Sequence, residues 1–188
     1  MESETAHPAL QAHIAFFDTD DDDIIWPTDT YKGFRTIGYS IFFSALSMVV
    51  IHSGFSCVRP PMRISIPLSA VHGSDSRAYT QTGTLDESRF NYVFALYSAE
   101  PHTHLSFREG VDLVRGNRNP FDVFGWFAAV FEWGATFLLL AEDGRVKRED
   151  VHGIMDGTIF PKLAARTKAR NEEKARAKAE RKNKVKAD

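Results

Sequence analysis

Thiols are almost absent: the 188 residues hold a single cysteine, Cys57. That excludes an internal disulfide framework and a zinc site built on several thiolates. The opening run MESETAHPALQAH lacks an early apolar core, so no classical signal peptide is expected and a cytosol-facing protein is the default. No glycine-rich dinucleotide fingerprint is visible either. What is present is core material. The chain is 43% hydrophobic and 12% aromatic with 15 phenylalanines, which argues against global disorder. Its length allows one compact domain or a tight two-lobed one.

The net charge of −2 conceals an asymmetry. Lys162 to Asp188 holds 11 Lys/Arg against 4 Asp/Glu, leaving 12 against 21 for residues 1–161. An acidic body with a basic tail is the more informative description.

Residues 1–8 read as a loose lead. From Ala9, Leu10, His13, Ile14 and Phe17 fall on one face of a helix opened by Pro8. A second helix is expected from about Pro27 and is read as flowing into Gly38–Val58. That segment has 21 residues and no Asp, Glu, Lys or Arg, close to the roughly 20 apolar residues that span a bilayer. Serines, His52 and two glycines interrupt it, and it stops at Arg59-Pro60-Pro61. Three readings stay open for residues 38–61: spanning, lying in or dipping into a membrane surface, or packing as a core helix.

Residues 62–161 form a further, mainly helical region. MRISIPL alternates as a short extended piece held to an edge by Pro67. Ser106 and Glu109 make a capping box. Asn119-Pro120-Phe121-Asp122 predicts a strong helix start, and from Val123 that helix carries one charge, Glu132. It is either the main core helix or a second membrane-contacting face. Residues 162–188 have no apolar stripe. Their simplest reading is a solvated or frayed helix, with attraction to anionic lipid or nucleic acid as the sharper alternative.

Five aspartates crowd the six positions 18–23. Laid on a twelve-residue EF-hand loop, Asp18, Asp20 and Asp22 take positions 1, 3 and 5. The carbonyl of Ile24 takes position 7, Ile25 the apolar position 8, and Asp29 position 12. Calcium takes six to eight hard oxygen ligands, and binding relieves the repulsion among the carboxylates. Asp23 stands where glycine is usual and needs to tolerate a positive φ. Asp29 is one methylene shorter than the usual glutamate. The alternative is a merely acidic solvated loop. Two degenerate echoes, YTQTGTLDESRF and LLAEDGRVKRED, place Gly83 and Gly144 at position 6 with Leu85 and Val146 at position 8. They are expected to pair with the working loop as structural remnants.

These pieces occur in one order: LQAHIAFFDTDDDDIIWPTDTYKGFR, an apolar stretch, HGSDS, GNRNPFDVFGWFAAVFEWG, DGRVKREDVHGIMDGTIF. From about Ala9 to Phe160 this resembles the caleosin family, the calcium-binding peroxygenases of lipid droplets and related membranes. The resemblance implies haem b and Ca2+ as cofactors, with His13 and His72 as the haem-iron and catalytic histidines. From the residues alone, His13 is a core histidine and His72 a turn residue. The family does not use a thiolate at Cys57. Oxygen transfer needs an open iron position, so one histidine is expected as the permanent ligand and the other as a displaceable ligand or distal acid–base. Oxygen would pass from a fatty acid hydroperoxide to an unsaturated fatty acid, a C–H bond or a sulfide. Calcium, by ordering the loop five residues beyond His13, would tune that site.

The implied location is a lipid droplet or the ER membrane, facing the cytosol, and no nucleic-acid partner is expected. Plant members carry a longer proline-rich knot. Here only Pro60, Pro61 and Pro67 follow the apolar stretch, which favours ordinary membrane association or a partly soluble pool. The competing readings are a non-catalytic calcium-dependent droplet coat or tether, and a soluble calcium sensor, which would need a second competent loop. The expected fold is mainly α, an EF-hand-type helix–loop–helix unit over residues 9–37 paired with degenerate EF-like loops.

Overall fold

The structure, a computed structural model, describes residues 9–22, 24–56, 64–65, 78–80 and 82–187. His72, Asp23, Cys57 and the proline cluster at 60–61 lie outside the described residues.

The chain is mainly helical, and its short strands serve to couple loops. Helix α1 (Ala9–Ala15), strand β1 (Ile24–Ile25) and helix α2 (Pro27–Ile37) form the first helix–loop–helix unit. Pro27 opens α2 because its missing N–H is no loss in a first turn. Helix α3 (Ile41–Ser56) leads to strand β2 (Ile64–Ser65), which pairs antiparallel with β1 so that Ile25 faces Ile64. A second pair of units follows. Helices α4 (Glu87–Tyr97) and α5 (Phe107–Asn117) flank strand β3 (His104–Ser106); helices α6 (Val123–Leu140) and α7 (Arg148–Met155) flank β4 (Arg145–Lys147). β3 and β4 are antiparallel, with Leu105 opposite Val146. Helix α8 (Ile159–Ala187) closes the chain, packing its first turns on α2 and α7.

Four expectations need correction. The second helix does not flow on into the uncharged segment. Gly38 ends α2 in the left-handed region (φ 116°), its N–H turned back to the carbonyls of Arg35 and Phe34, and α3 starts anew three residues later. Asn119-Pro120 does not open α6. Asn119 instead closes the preceding turn, its carbonyl accepting from Asp122 N–H, and Asp122 caps the helix through Gly125 N–H at 2.8 Å. The Gly83 echo is no paired loop. Leu85 bridges Tyr79 across a local turn at Gly83, and Asp86 then caps α4. The Gly144 echo does pair, but with the loop before Ser106 and not with the aspartate-rich loop, whose partner is Ile64.

One core joins the two halves. Phe34, Ile37 and Tyr39 meet Phe90, Phe94, Leu105 and Leu113, with Val146, Val151, Phe160 and Leu163 also buried. Tyr39 donates to the Ala135 carbonyl at 2.7 Å, tying the α2–α3 junction to α6.

Helix α3 is built inside out. Its fully buried side chains are polar: Ser44, Ser47 and His52. The two serines return their hydroxyls to the carbonyls of Ser40 and Phe43, and His52 Nε2 meets Thr30 Oγ1 at 2.9 Å, so none is a bare buried dipole. Its outward side chains are mostly apolar: Ile41, Phe42, Leu46, Val49 and Val50, with Ser53 the polar exception. Among the described residues no helix is long and apolar enough to cross a membrane.

Candidate functional site

The loop between α1 and α2 brings three aspartates together. One carboxylate oxygen each from Asp18, Asp20 and Asp22 lies within 4.8 Å of the others. Local bonds hold the turn: Asp22 N–H donates to Asp18 Oδ1 at 3.3 Å and Ile24 N–H to Asp22 Oδ1 at 2.8 Å. Trp26 Nε1 donates to Asp22 Oδ2 at 3.3 Å. Asp21 adopts a left-handed conformation (φ 54°), which aspartate tolerates better than most side chains. The Asp20 carboxyl is held above the usual aspartate range, first by lost hydration and then by the charges of Asp22, Asp29 and Asp18.

Asp29 has a different environment. It is buried at the first turn of α2, where Oδ1 accepts from Thr19 Oγ1 at 2.8 Å and Oδ2 from Trp26 N–H at 3.1 Å. The exposed Lys32 ammonium stands 3.6 Å from Oδ1. Asp29 thus caps α2 and ties the loop shut, close enough to Asp20 to raise its proton affinity but outside the three-carboxylate cluster. Ile24 sits in β1, where pairing with β2 aligns its backbone.

His13 stands on the buried side of α1. Its Nδ1 lies 2.6 Å from the Ile154 carbonyl oxygen. A carbonyl can only accept, so Nδ1 carries the proton and Nε2 keeps its lone pair. The ring meets Phe160 edge-on at 5.0 Å between centroids and Phe17 at 6.2 Å. Burial lowers the His13 pKa, against the opposing pull of the Ile154 bond and the Glu132 charge, so the imidazole stays neutral. A neutral imidazole with Nδ1–H anchored on a backbone carbonyl is the form in which histidine serves as an Nε2 metal ligand. His13 therefore has the chemical form in which it would hold a haem iron through Nε2. His72, the other expected ligand, lies outside the described residues.

Sequence reasoning missed the loop that pairs with β4. Counted back from Glu109 as position 12, Leu105 falls at position 8 and Ser98 at position 1. The capping box at Ser106 was therefore the tail end of a loop template. The oxygens of Glu109 are already used, accepting from Ala99 N–H, Ser106 N–H and Ser106 Oγ–H at 2.7 Å each. In the facing loop Lys147 Nζ meets Glu142 Oε2 at 2.8 Å in an exposed ion pair. This pair of loops closes by hydrogen bonds and a packed Leu105–Val146 contact, both residues fully buried.

Comparison with known proteins shows the family. The caleosin related protein family matches residues 5–164. The chain belongs to the caleosin family. It is 34% identical to a probable peroxygenase 4 of Arabidopsis thaliana, with 88% of this chain and 90% of that protein covered. It is 33% identical to a peroxygenase of Lilium longiflorum over 85% of this chain and 72% of that one. A probable inactive peroxygenase-like protein of Arabidopsis thaliana is 28% identical over 70% of this chain and 68% of its own. No solved structure matches the chain.

Proposed function

We propose that this protein is a calcium-binding haem peroxygenase acting at a lipid surface. The observation that carries this reading is the His13 geometry: a neutral imidazole, its Nδ1–H fixed on Ile154, holds Nε2 ready as a ligand. The family and its peroxygenase-named relatives supply the context. When bound, haem would supply the oxygen-transfer chemistry, with a fatty acid hydroperoxide as donor and an unsaturated fatty acid, C–H bond or sulfide as acceptor.

The chain's own part is orientation and exclusion. Ile154 sets the His13 tautomer, and Phe17 and Phe160 pack against the ring. His72 would either hold the iron as well or move a proton beside it. Asp18, Asp20 and Asp22, with the Ile24 carbonyl and Asp29, would hold Ca2+. Thr19 and Asp29 would transmit its presence to α1 and α2. The outward apolar side chains of α3 would contact a droplet or ER membrane surface, where an apolar substrate is found.

The test is the absorption spectrum of the full-length, haem-reconstituted protein beside His13→Ala and His72→Ala. A band at near-stoichiometric loading that either substitution abolishes supports the reading. The second reading, a non-catalytic coat or tether, is favoured by the outward apolar face of α3 and by the inactive-named relative. Folded protein that binds calcium and shows no haem band would establish it instead.

A further inference from the structure

The family match ends at residue 164, and most of α8 lies beyond it. From Lys168 to Val185 every residue of α8 is exposed. A helix rises about 1.5 Å per residue, so this part reaches roughly 30 Å from the body. That is several times the screening length of about 8 Å at physiological salt, so its field is separate from that of the acidic body. Within this rod eight Lys/Arg, from Lys168 to Lys184, stand against three glutamates.

The base of the rod is not arbitrary. A Cβ built on Gly38 would stand 2.8 Å from Thr167 Oγ1, 3.5 Å from Arg170 and 3.9 Å from Leu139. Helix α8 therefore leaves the body at the α2–α3 junction and the last turn of α6. Exposed apolar side chains crowd that same place: Ile41 and Phe42 at the start of α3, and Leu138 on α6. Helix α6 adds an outward stripe of Val123, Phe127, Val130 and Leu138, spaced for one helix face. The two helices are joined by the stacked rings of Phe43 and Phe131, 5.8 Å between centroids.

We propose that the α3 and α6 apolar stripes together with the basic rod of α8 form a composite dock for an anionic phospholipid bilayer. This rests on the lipid-surface reading above and adds to it a choice of surface. The apolar stripes enter the acyl boundary and the rod gathers acidic headgroups, two contributions that add in peripheral membrane binding. A nucleic acid would satisfy the rod but leave Phe42, Phe127 and Val130 in water. A neutral triacylglycerol surface would satisfy the stripes but leave the rod without counter-charge.

The experiment uses full-length protein in sedimentation with vesicles of phosphatidylcholine alone, or with about 30% phosphatidylserine added. Floatation on a neutral triolein emulsion and binding to a duplex oligonucleotide are measured in parallel. One variant neutralises the rod (Lys174, Arg176, Lys178, Arg181, Lys182 and Lys184, each →Gln). A second is Phe127→Ser with Val130→Ser. All eight positions are exposed, so the fold should stand. The native protein should prefer the anionic vesicles by about tenfold or more, and lose that preference in high salt and in the rod variant. The α6 variant should bind both vesicle types more weakly while keeping the preference. Equal binding to both vesicles, or a preference that survives in the rod variant, overturns the proposal. So does tighter binding to the oligonucleotide than to the anionic vesicles. Unchanged binding by the α6 variant removes that stripe from the dock. Binding to triolein without headgroup preference overturns only this inference, whereas no binding to any lipid particle overturns the underlying lipid-surface reading.

Discussion

His13 Nδ1 and the Ile154 carbonyl oxygen, 141 residues apart in sequence, lie 2.6 Å from one another. The bond fixes both the tautomer and the position of α1 against α7. Because burial lowers the His13 pKa, the folded chain binds that proton less readily than the unfolded chain. Stability from this group is therefore intact above the ordinary histidine value of about 6.5 and declines as pH falls through and below it. Thermal melts of native protein and His13→Gln between about pH 7.5 and pH 5 check this. The native Tm should fall more steeply with acid than that of the variant.

Calcium should stabilise the folded chain by mass action, about 2.7 kcal/mol at a hundredfold excess over Kd. Asp20 gives this a pH signature. Its raised pKa means that, without an ion, the group favours the folded state more as pH falls through that pKa. The ion requires the ionised form, so the calcium-induced rise in Tm should shrink with acid. Asp20→Asn should weaken calcium at least tenfold by calorimetry while leaving the calcium-free protein folded.

Gly157 sits at φ 80°, and a Cβ there would stand 2.8 Å from Ala12 C and His13 N. Gly157→Ala should therefore push α1 away from α7. The positive φ alone costs about 1–2 kcal/mol. Haem loading should drop although His13 is untouched. Full loading with an unchanged spectrum would show that α1 need not dock there.

Leu105 and Val146 are both fully buried at the centre of the second loop pair. Leu105→Ala should cost about 2–5 kcal/mol in urea denaturation. The loss should be the same with and without calcium, because the Glu109 oxygens are already taken by Ala99 and Ser106 and the three-aspartate cluster lies in a different loop.

Local chemistry was legible in the chain. The alternation of Asp18, Asp20 and Asp22, the proline that opens α2, and the Ser106–Glu109 box each act within a few residues, where spacing alone determines geometry. The order of motifs sufficed for the family. The tertiary structure decided what faces what. Ile25 pairs with Ile64 and not with Leu85, and Val146 chooses Leu105, because strand partners are selected by how helices pack over about forty residues. The uncharged segment does not reveal which side of α3 is wet. Ser44, Ser47 and His52 turned inward, bonded to Ser40, Phe43 and Thr30, leaving Phe42 and Val49 outside. Composition set the number of apolar side chains, and only packing determined which of them remained for another surface.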